Sequence, residues 1–339
     1  MTKTLITGAA GFIGSNLAKR LEQDGHDLTL VDNFSRGKKS YLDYLGVKTI
    51  CRDIDLRDYM FCKIYTENVD TVYHTACRIG GEQFLHGSPK KELTALQDNL
   101  TIDTNLFRAC VENKVKKIIY TSSVSVYNTV RQIEDNATFT EIDIYHDRID
   151  PEKGYGWAKF VGEKQLEFMS KTGIKVGVSR IFKSYGPCDD YSPESGQVVL
   201  SLMRKAINYP KEPFVVWGNG RVARCFLYID DLIDGLIKLS DYIDNHESLT
   251  VNMGAKEQTS IRDLAQKIVS LSGKDIKIEY DYAKKQSPSS RIPILDLAKE
   301  NLGWKPTTSL DDGLKKTYDW MLHEKKEGGI EWRNQKSSL

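Results

Sequence analysis

The sequence contains no run near the roughly 18 consecutive apolar residues that a membrane-spanning helix requires, so no membrane partner is expected. Neither sign of charge is in surplus: 48 Lys and Arg against 47 Asp and Glu leave a net charge of +1. That removes the electrostatic footprint of a duplex-binding protein, and no nucleic-acid partner is expected. Cysteine is sparse, and Cys51, Cys62, Cys77, Cys110, Cys188 and Cys225 are scattered without the close pairs of a zinc site. Reduced thiols and no metal are therefore expected. The chain opens directly on a strand pattern, with no basic region and no apolar stretch ending in a cleavage site. No secretory leader is expected from this, and the expected compartment is the cytoplasm. There is no internal repeat and no low-complexity segment. The polar end at 331–339 reads as a frayed tail.

What is present is an alternation. Continuous β-branched and apolar runs at 4–7, 28–31, 47–51, 71–75, 117–121 and 175–180 predict strands buried on both faces. Between them 12–23, 98–113 and 156–170 carry apolar residues at three-and-four spacing, which predicts helices. Strand and helix in turn imply an α/β fold, a doubly wound parallel sheet with helices on both sides. After Tyr185-Gly186-Pro187 the pattern loosens, then resumes with a helix at 198–206, a turn at 218–220, a helix at 230–240 and a run at 249–253. A helix from 261 and a strand at 276–280 follow. The expected division is a Rossmann domain at 1–182, to which 226–257 returns, and a smaller α/β domain from 183–225 and 258–330.

Gly8, Gly11 and Gly14 follow the first strand at once and open the first helix, with Phe12 and Ile13 at its start. Glycines so placed permit a tight turn and let the backbone approach a pyrophosphate at the helix N-terminus. Asp32, beside Asn33, ends the second strand. A carboxylate there accepts hydrogen bonds from an adenosine ribose and repels a 2′-phosphate, which favours NAD over NADP. Arg36 leaves NADP open, and Asp32 also reads simply as a turn former. Tyr155 and Lys159 stand four apart on one helix face and can share a site. An adjacent ammonium and a nicotinamide cation would bring the phenol down from its reference pKa near 10. Such a pair also arises by chance on solvated helices. Ser122 and Ser123 close the fifth strand at the sheet edge where α/β ligands bind.

In that order and spacing, Gly8-Gly11-Gly14, Ser123 and Tyr155 with Lys159 resemble the extended short-chain dehydrogenase/reductase family, in particular its NAD-dependent nucleotide-sugar epimerases and dehydratases. Asp53-Ile54 resembles the family's adenine-side pair, His74-Thr75-Ala76 its fourth-strand end, and Asn99 its active-site asparagine. Arg180 through Pro187, Arg224-Cys225-Phe226, Asp230-Asp231, Asn252-Met253-Gly254, Arg291 and Leu302-Gly303-Trp304 are similar to further elements. The resemblance implies that Tyr155 is the base for a sugar hydroxyl, that Lys159 lowers its pKa and holds the nicotinamide ribose, and that Ser123 steadies the reacting oxygen. It makes Gly8, Gly11, Phe12, Ile13, Gly14, Asp32, Asn33, Asp53, Ile54, Thr75, Ala76 and Asn99 cofactor residues. It also gives Arg224 and Arg291 to the diphosphate, and it implies a homodimer.

Departures narrow the subtype. Family dehydratases and decarboxylases have acidic residues just after the catalytic hydroxyl, whereas this chain has Val124 and Ser125, so oxidation and reduction at C4 is expected. Arg78-Ile79-Gly80-Gly81 resembles the loop of GDP-mannose 3,5-epimerases and GDP-fucose synthases, and also reads as a plain glycine turn. The carbon-base cysteine of those enzymes falls on Ser125, a far weaker acid, and Gln197 supplies no matching acid. Lys183 replaces an asparagine; it either binds a phosphate or an acidic sugar, or points to solvent. The leading expectation is a 4-epimerase acting on a UDP- or GDP-linked sugar through a 4-keto intermediate. The alternatives are a GDP-sugar C4 dehydrogenase or ketoreductase, a divergent GDP-mannose 3,5-epimerase, and a non-catalytic dinucleotide sensor.

Overall fold

The computed structural model describes residues 2–80, 87–134, 136–193, 195–284 and 291–328. Seven parallel strands form the main sheet: β1 (Lys3–Thr7), β2 (Asp27–Asp32), β3 (Cys51–Asp53), β4 (Thr71–His74), β5 (Lys117–Ser123), β6 (Lys175–Ile181) and β7 (Ser248–Met253). Their spatial order is β7-β6-β5-β4-β1-β2-β3. The order reverses between β1 and β4, the switch point at which ligands bind in open sheets of this kind. The chain therefore has the Rossmann-type α/β architecture that the alternating pattern predicts.

The strands form where the apolar runs are, because both faces are covered. Leu5, Ile6, Val72, Ile118 and Ile119 are buried, and helices Phe12–Gln23 and Ile229–Tyr242 pack on one side. Helices Pro89–Glu112 and Lys153–Ser170 lie together on the other side. Around the second half, short pairings add a periphery. Ala223–Cys225 runs antiparallel to Gln258–Ser260, and Arg291–Pro293 lies parallel to Ala137–Phe139.

Four starts shift by three residues or more from the periodicity reading, one of them that of the helix expected at 156–170, which begins at Lys153. The helix expected at 98–113 starts at Pro89, because Ser88 caps it by accepting Lys91 N–H at 3.3 Å and proline occupies its first turn. The strand expected at 47–51 is displaced to Cys51–Asp53. The Glu22 carboxylate takes the Lys48 and Thr49 N–H groups at 2.8 Å each, which removes them from any ladder. The strand expected at 276–280 is Glu279–Asp281. All six cysteines are free. Gly81 and the tail at 331–339 lie outside the described residues.

Candidate active site

The loop between β1 and the first helix is tight because Gly8 and Gly14 have no room for a side chain. Gly8 has φ +65°, and a Cβ on it would meet the Ala76 backbone at 2.7 Å. A Cβ on Gly14 would lie 2.1 Å from the Gly8 carbonyl oxygen, so the helix presses directly onto the loop. Gly11 caps that helix without a side-chain acceptor, which leaves the N–H groups of the Phe12-Ile13 end available to an anion. At the end of β2, Asp32 Oδ2 accepts Ala10 N–H at 3.0 Å and Oδ1 accepts Phe34 N–H at 2.8 Å. The carboxylate therefore braces both loops, and burial raises its pKa. Arg36 forms an ion pair with Asp190. Asn33 Oδ1 accepts Ser35 N–H at 3.1 Å, Asp53 is exposed at the end of β3, and Ile54 N–H bonds the Asp32 carbonyl at 3.0 Å.

The end of β4 is tied to β1. Thr75 Oγ1 donates to the Thr7 carbonyl at 2.7 Å, and Ala76 N–H donates to Thr7 Oγ1 at 3.3 Å. Asn99 grips the backbone of Arg78, with Arg78 N–H donating to Oδ1 at 2.6 Å and Nδ2 donating to its carbonyl at 3.1 Å. The Arg78 guanidinium meets Asp98 at 3.4 Å, and Gly80 follows in the same loop.

Helix Lys153–Ser170 carries Tyr155 and, one turn later, Lys159 into the crevice; both are buried. Among the described residues the Lys159 ammonium has no hydrogen-bond partner, and it lies 4.3 Å from the centre of the Tyr120 ring. A buried network stands beneath it. Tyr120 OH donates to Asp103 at 2.6 Å, His74 Nε2 meets Asp103 at 2.9 Å, and His74 Nδ1 meets Thr7 Oγ1 at 2.7 Å. Burial holds the His74 pKa down, so the imidazole is neutral and Nε2 is the nitrogen that donates to Asp103. Burial drives the Tyr155 phenol well above its ordinary pKa, the neighbouring Cys77 adds to this, and a hydrogen bond with Ser123 opposes it. The bare chain thus holds Tyr155 as the neutral phenol, and the base form requires positive charge brought to the site. Ser123 Oγ also accepts Ser125 N–H at 3.2 Å.

Across the cleft, Lys183, Arg224 and Arg291 converge. Lys183 is exposed, and its Nζ donates to Gln197 Oε1 at 3.2 Å. The surrounding protein, and then the Arg224 and Arg291 charges, lower its pKa to about 8. Arg224 is lowered to about 10, chiefly by burial and next by Arg291. Arg180 stands apart as a core brace, 1 % exposed, with its guanidinium forked onto Glu163 at 2.8–3.2 Å and donating to the Glu141 carbonyl at 2.7 Å.

The residue that sequence reasoning missed is Glu152. Its Oε2 accepts Ser125 Oγ at 3.0 Å, and Arg291 binds both of its oxygens at 3.0 and 2.9 Å. Val124 and Ser125 follow the catalytic hydroxyl as read from the sequence, but an acid that the reading did not consider bonds Ser125. The carboxylate arrives from the start of the Tyr155 helix instead of from the positions after Ser123. Glu152 is the extended residue that precedes the helix, three positions before Tyr155, and that proximity in sequence to the Tyr155-Lys159 pair is the signal that could have found it.

Residues 4–254 match the model of the NAD dependent epimerase/dehydratase family. The chain belongs to that family. Relatives include GDP-mannose 3,5-epimerase 1 of Oryza sativa subsp. indica, 30 % identical over 325 residues, 94 % of this chain and 81 % of that protein. UDP-glucuronic acid decarboxylase 1 of Xenopus tropicalis is 30 % identical over 324 residues, 95 % of this chain and 72 % of that one. Among solved structures, UDP-glucose 4-epimerase of Thermotoga maritima, solved with UDP-glucose, superposes with a TM-score of 0.81 at 26 % identity, covering 95 % of this chain and 99 % of that chain. The protein is accordingly an enzyme of the NAD-dependent epimerase/dehydratase type, and its cofactor is NAD. Gly8 and Gly14, which have no room for a Cβ, and the buried Lys159 ammonium, without a hydrogen-bond partner among the described residues, fit that cofactor. No helix among the described residues is long and apolar enough to cross a membrane. Among the same residues, no group of three or more His, Cys, Asp or Glu side chains could hold a metal ion.

Proposed function

We propose that the protein is a nucleotide-sugar epimerase that oxidises the sugar at C4 and reduces the 4-keto intermediate from its other face. The observation that carries this reading is the Lys159 ammonium, fully buried and without a hydrogen-bond partner among the described residues, one helical turn from Tyr155 beside Ser123. A lone buried cation is expensive to maintain unless a ligand completes its hydrogen bonding. Lys159 therefore holds the nicotinamide ribose and contributes positive charge next to Tyr155. NAD, when bound, accepts and returns the hydride and supplies a further positive charge. Tyr155 takes the C4 hydroxyl proton, and Ser123 hydrogen-bonds the same oxygen as its charge develops.

Gly8, Gly11, Phe12, Ile13 and Gly14 carry the pyrophosphate at the helix N-terminus, and Asp32 with Asn33 faces the adenosine ribose. Asp53 and Ile54 flank the adenine, and Thr75 and Ala76 line the crevice. Asn99 acts by fixing Arg78 and the loop through Gly80. Arg36 is engaged with Asp190, which favours NAD over NADP. Residues 183–225 and 258–330 form the nucleotide-sugar unit, in which Arg224, Arg291 and Lys183 take a UDP- or GDP-linked diphosphate and Ser125 faces the sugar. Exposed Leu93, Val111, Trp157 and Phe168 on the paired helices Pro89–Glu112 and Lys153–Ser170 support a homodimer through that face.

The test is to assay the purified chain for bound NAD and mix it with UDP-, GDP-, CDP- and dTDP-sugars while following new stereoisomers by NMR. Tyr155→Phe is expected to keep the fold and the cofactor and to lose conversion. Retained conversion in that variant refutes the mechanism.

A further inference from the structure

Glu152 is locked to the catalytic turn. Its N–H donates to the Ser125 carbonyl at 2.8 Å, and Ser125 Oγ donates back to Oε2 at 3.0 Å. Gly156 permits the close approach, since a Cβ there would fall 2.4 Å from the same carbonyl oxygen. Tyr155, Lys183 and Arg224 all lie within reach of the Glu152 charge. An ion pair that served stability alone could sit anywhere on the surface. This one occupies an arginine of the cluster in which Lys183, Arg224 and Arg291 act on one another.

A diphosphate presents the same fork of oxygens to Arg291 with about twice the charge, and Lys183 and Arg224 attract it to the same place. Once it claims Arg291, Glu152 loses both arginine contacts. A partly buried carboxylate that loses an ion-pair partner and gains a diphosphate as neighbour rises in proton affinity.

We propose that Glu152 is a second proton-transfer residue, held idle by Arg291 until the diphosphate of the bound substrate takes that arginine. The proposal rests on the 4-keto stage above. A C4 carbonyl acidifies the C–H bonds of the flanking ring carbons. Glu152 removes one such proton, the C–H electron pair becomes a C=C bond, and the carbonyl π pair moves onto O4, which receives the Tyr155 proton. Reversal returns a proton to the carbon and the phenol proton to Tyr155, and no oxidant or reductant is consumed. The Glu152 side chain is 25 % exposed, so its proton exchanges with water and the carbon acquires solvent hydrogen.

The experiment uses the NAD-loaded full chain in D2O with GDP-mannose and, separately, UDP-glucose. Ring deuterium is followed by NMR, reduced nicotinamide by its near-ultraviolet absorbance, and GDP and UDP affinity by calorimetry. The wild type is expected to place deuterium on a carbon next to C4. Glu152→Gln keeps the Ser125 contact; it is expected to lose deuterium entry by about 100-fold while reduced nicotinamide falls by less than about 10-fold. It should also bind GDP and UDP several-fold more tightly, because Arg291 is released, and Glu152→Asp should recover part of the exchange. Reduced nicotinamide without ring deuterium in the wild type, or exchange at the wild-type rate in Glu152→Gln, overturns the proposal. If neither sugar yields reduced nicotinamide, the C4 reading fails separately. The nucleotide affinities then decide the latch, and unchanged or weaker binding in Glu152→Gln overturns it.

Discussion

Gly14→Ala is the sharpest test of how the cofactor loop is built, because its neighbour Gly11 provides an internal control. A Cβ at position 14 lies 2.1 Å from the Gly8 carbonyl oxygen and 2.8 Å from Ala9 Cα, and both are backbone atoms that no rotamer change can move. A Cβ at Gly11 meets only the Gly8 carbonyl oxygen, at 3.2 Å, and the φ of −82° at Gly11 suits any residue. For Gly14→Ala the helix Phe12–Gln23 has to back away from the loop. Overpacking of that kind costs about 1–3 kcal/mol, and displacing the helix N-terminus from the pyrophosphate site should weaken NAD by about 10- to 100-fold on the same scale. Gly11→Ala should weaken NAD by less than about 10-fold. Calorimetric NAD titration and thermal unfolding of the two variants beside the wild type measure both effects. A Gly14→Ala protein with wild-type affinity and midpoint would refute the reasoning, as would a Gly11→Ala protein that is the worse of the two.

Three further outcomes are expected. Glu163→Gln strips the counter-charge from the buried Arg180 guanidinium and should destabilise the fold by about 3–5 kcal/mol in urea unfolding. Lys159→Met removes a buried cation that has no hydrogen-bond partner among the described residues; it should raise the NAD-free unfolding midpoint while abolishing conversion. Lys183, lowered to about 8 in the folded chain, loses its proton there before the unfolded chain does. Its contribution therefore opposes folding below about pH 8 and is relieved as pH rises from there toward its ordinary value. For ligand binding the same titration acts in reverse: GDP and UDP affinity should fall above about pH 8, and Lys183→Gln should remove that inflection from a calorimetric pH series.

The fold was legible because parallel strands buried on both faces must be continuously apolar, and 4–7, 71–75, 117–121 and 175–180 each lie within two residues of the strands they became. Boundaries set by a single side chain were not legible. Glu22 is remote in sequence from Lys48 and Thr49, and nothing local announces that it will take their N–H groups. Asn99 was marked for the site, but its side chain is spent on the Arg78 backbone, a contact that no spacing rule contains.

The sequence by itself determined the glycine turn, the Tyr155-Lys159 pairing and the strand-end serines, because one turn of helix or one strand terminus suffices to bring those groups together. Only the tertiary structure decided the charge around them. It drew Lys183, Arg224 and Arg291 into one cleft from three separate segments and set Glu152 against Arg291 across 139 residues. It also left the Lys159 ammonium over an aromatic ring with no hydrogen-bond partner among the described residues. Electrostatic interaction depends on distance through space and on the water excluded between groups, and neither can be read along a chain.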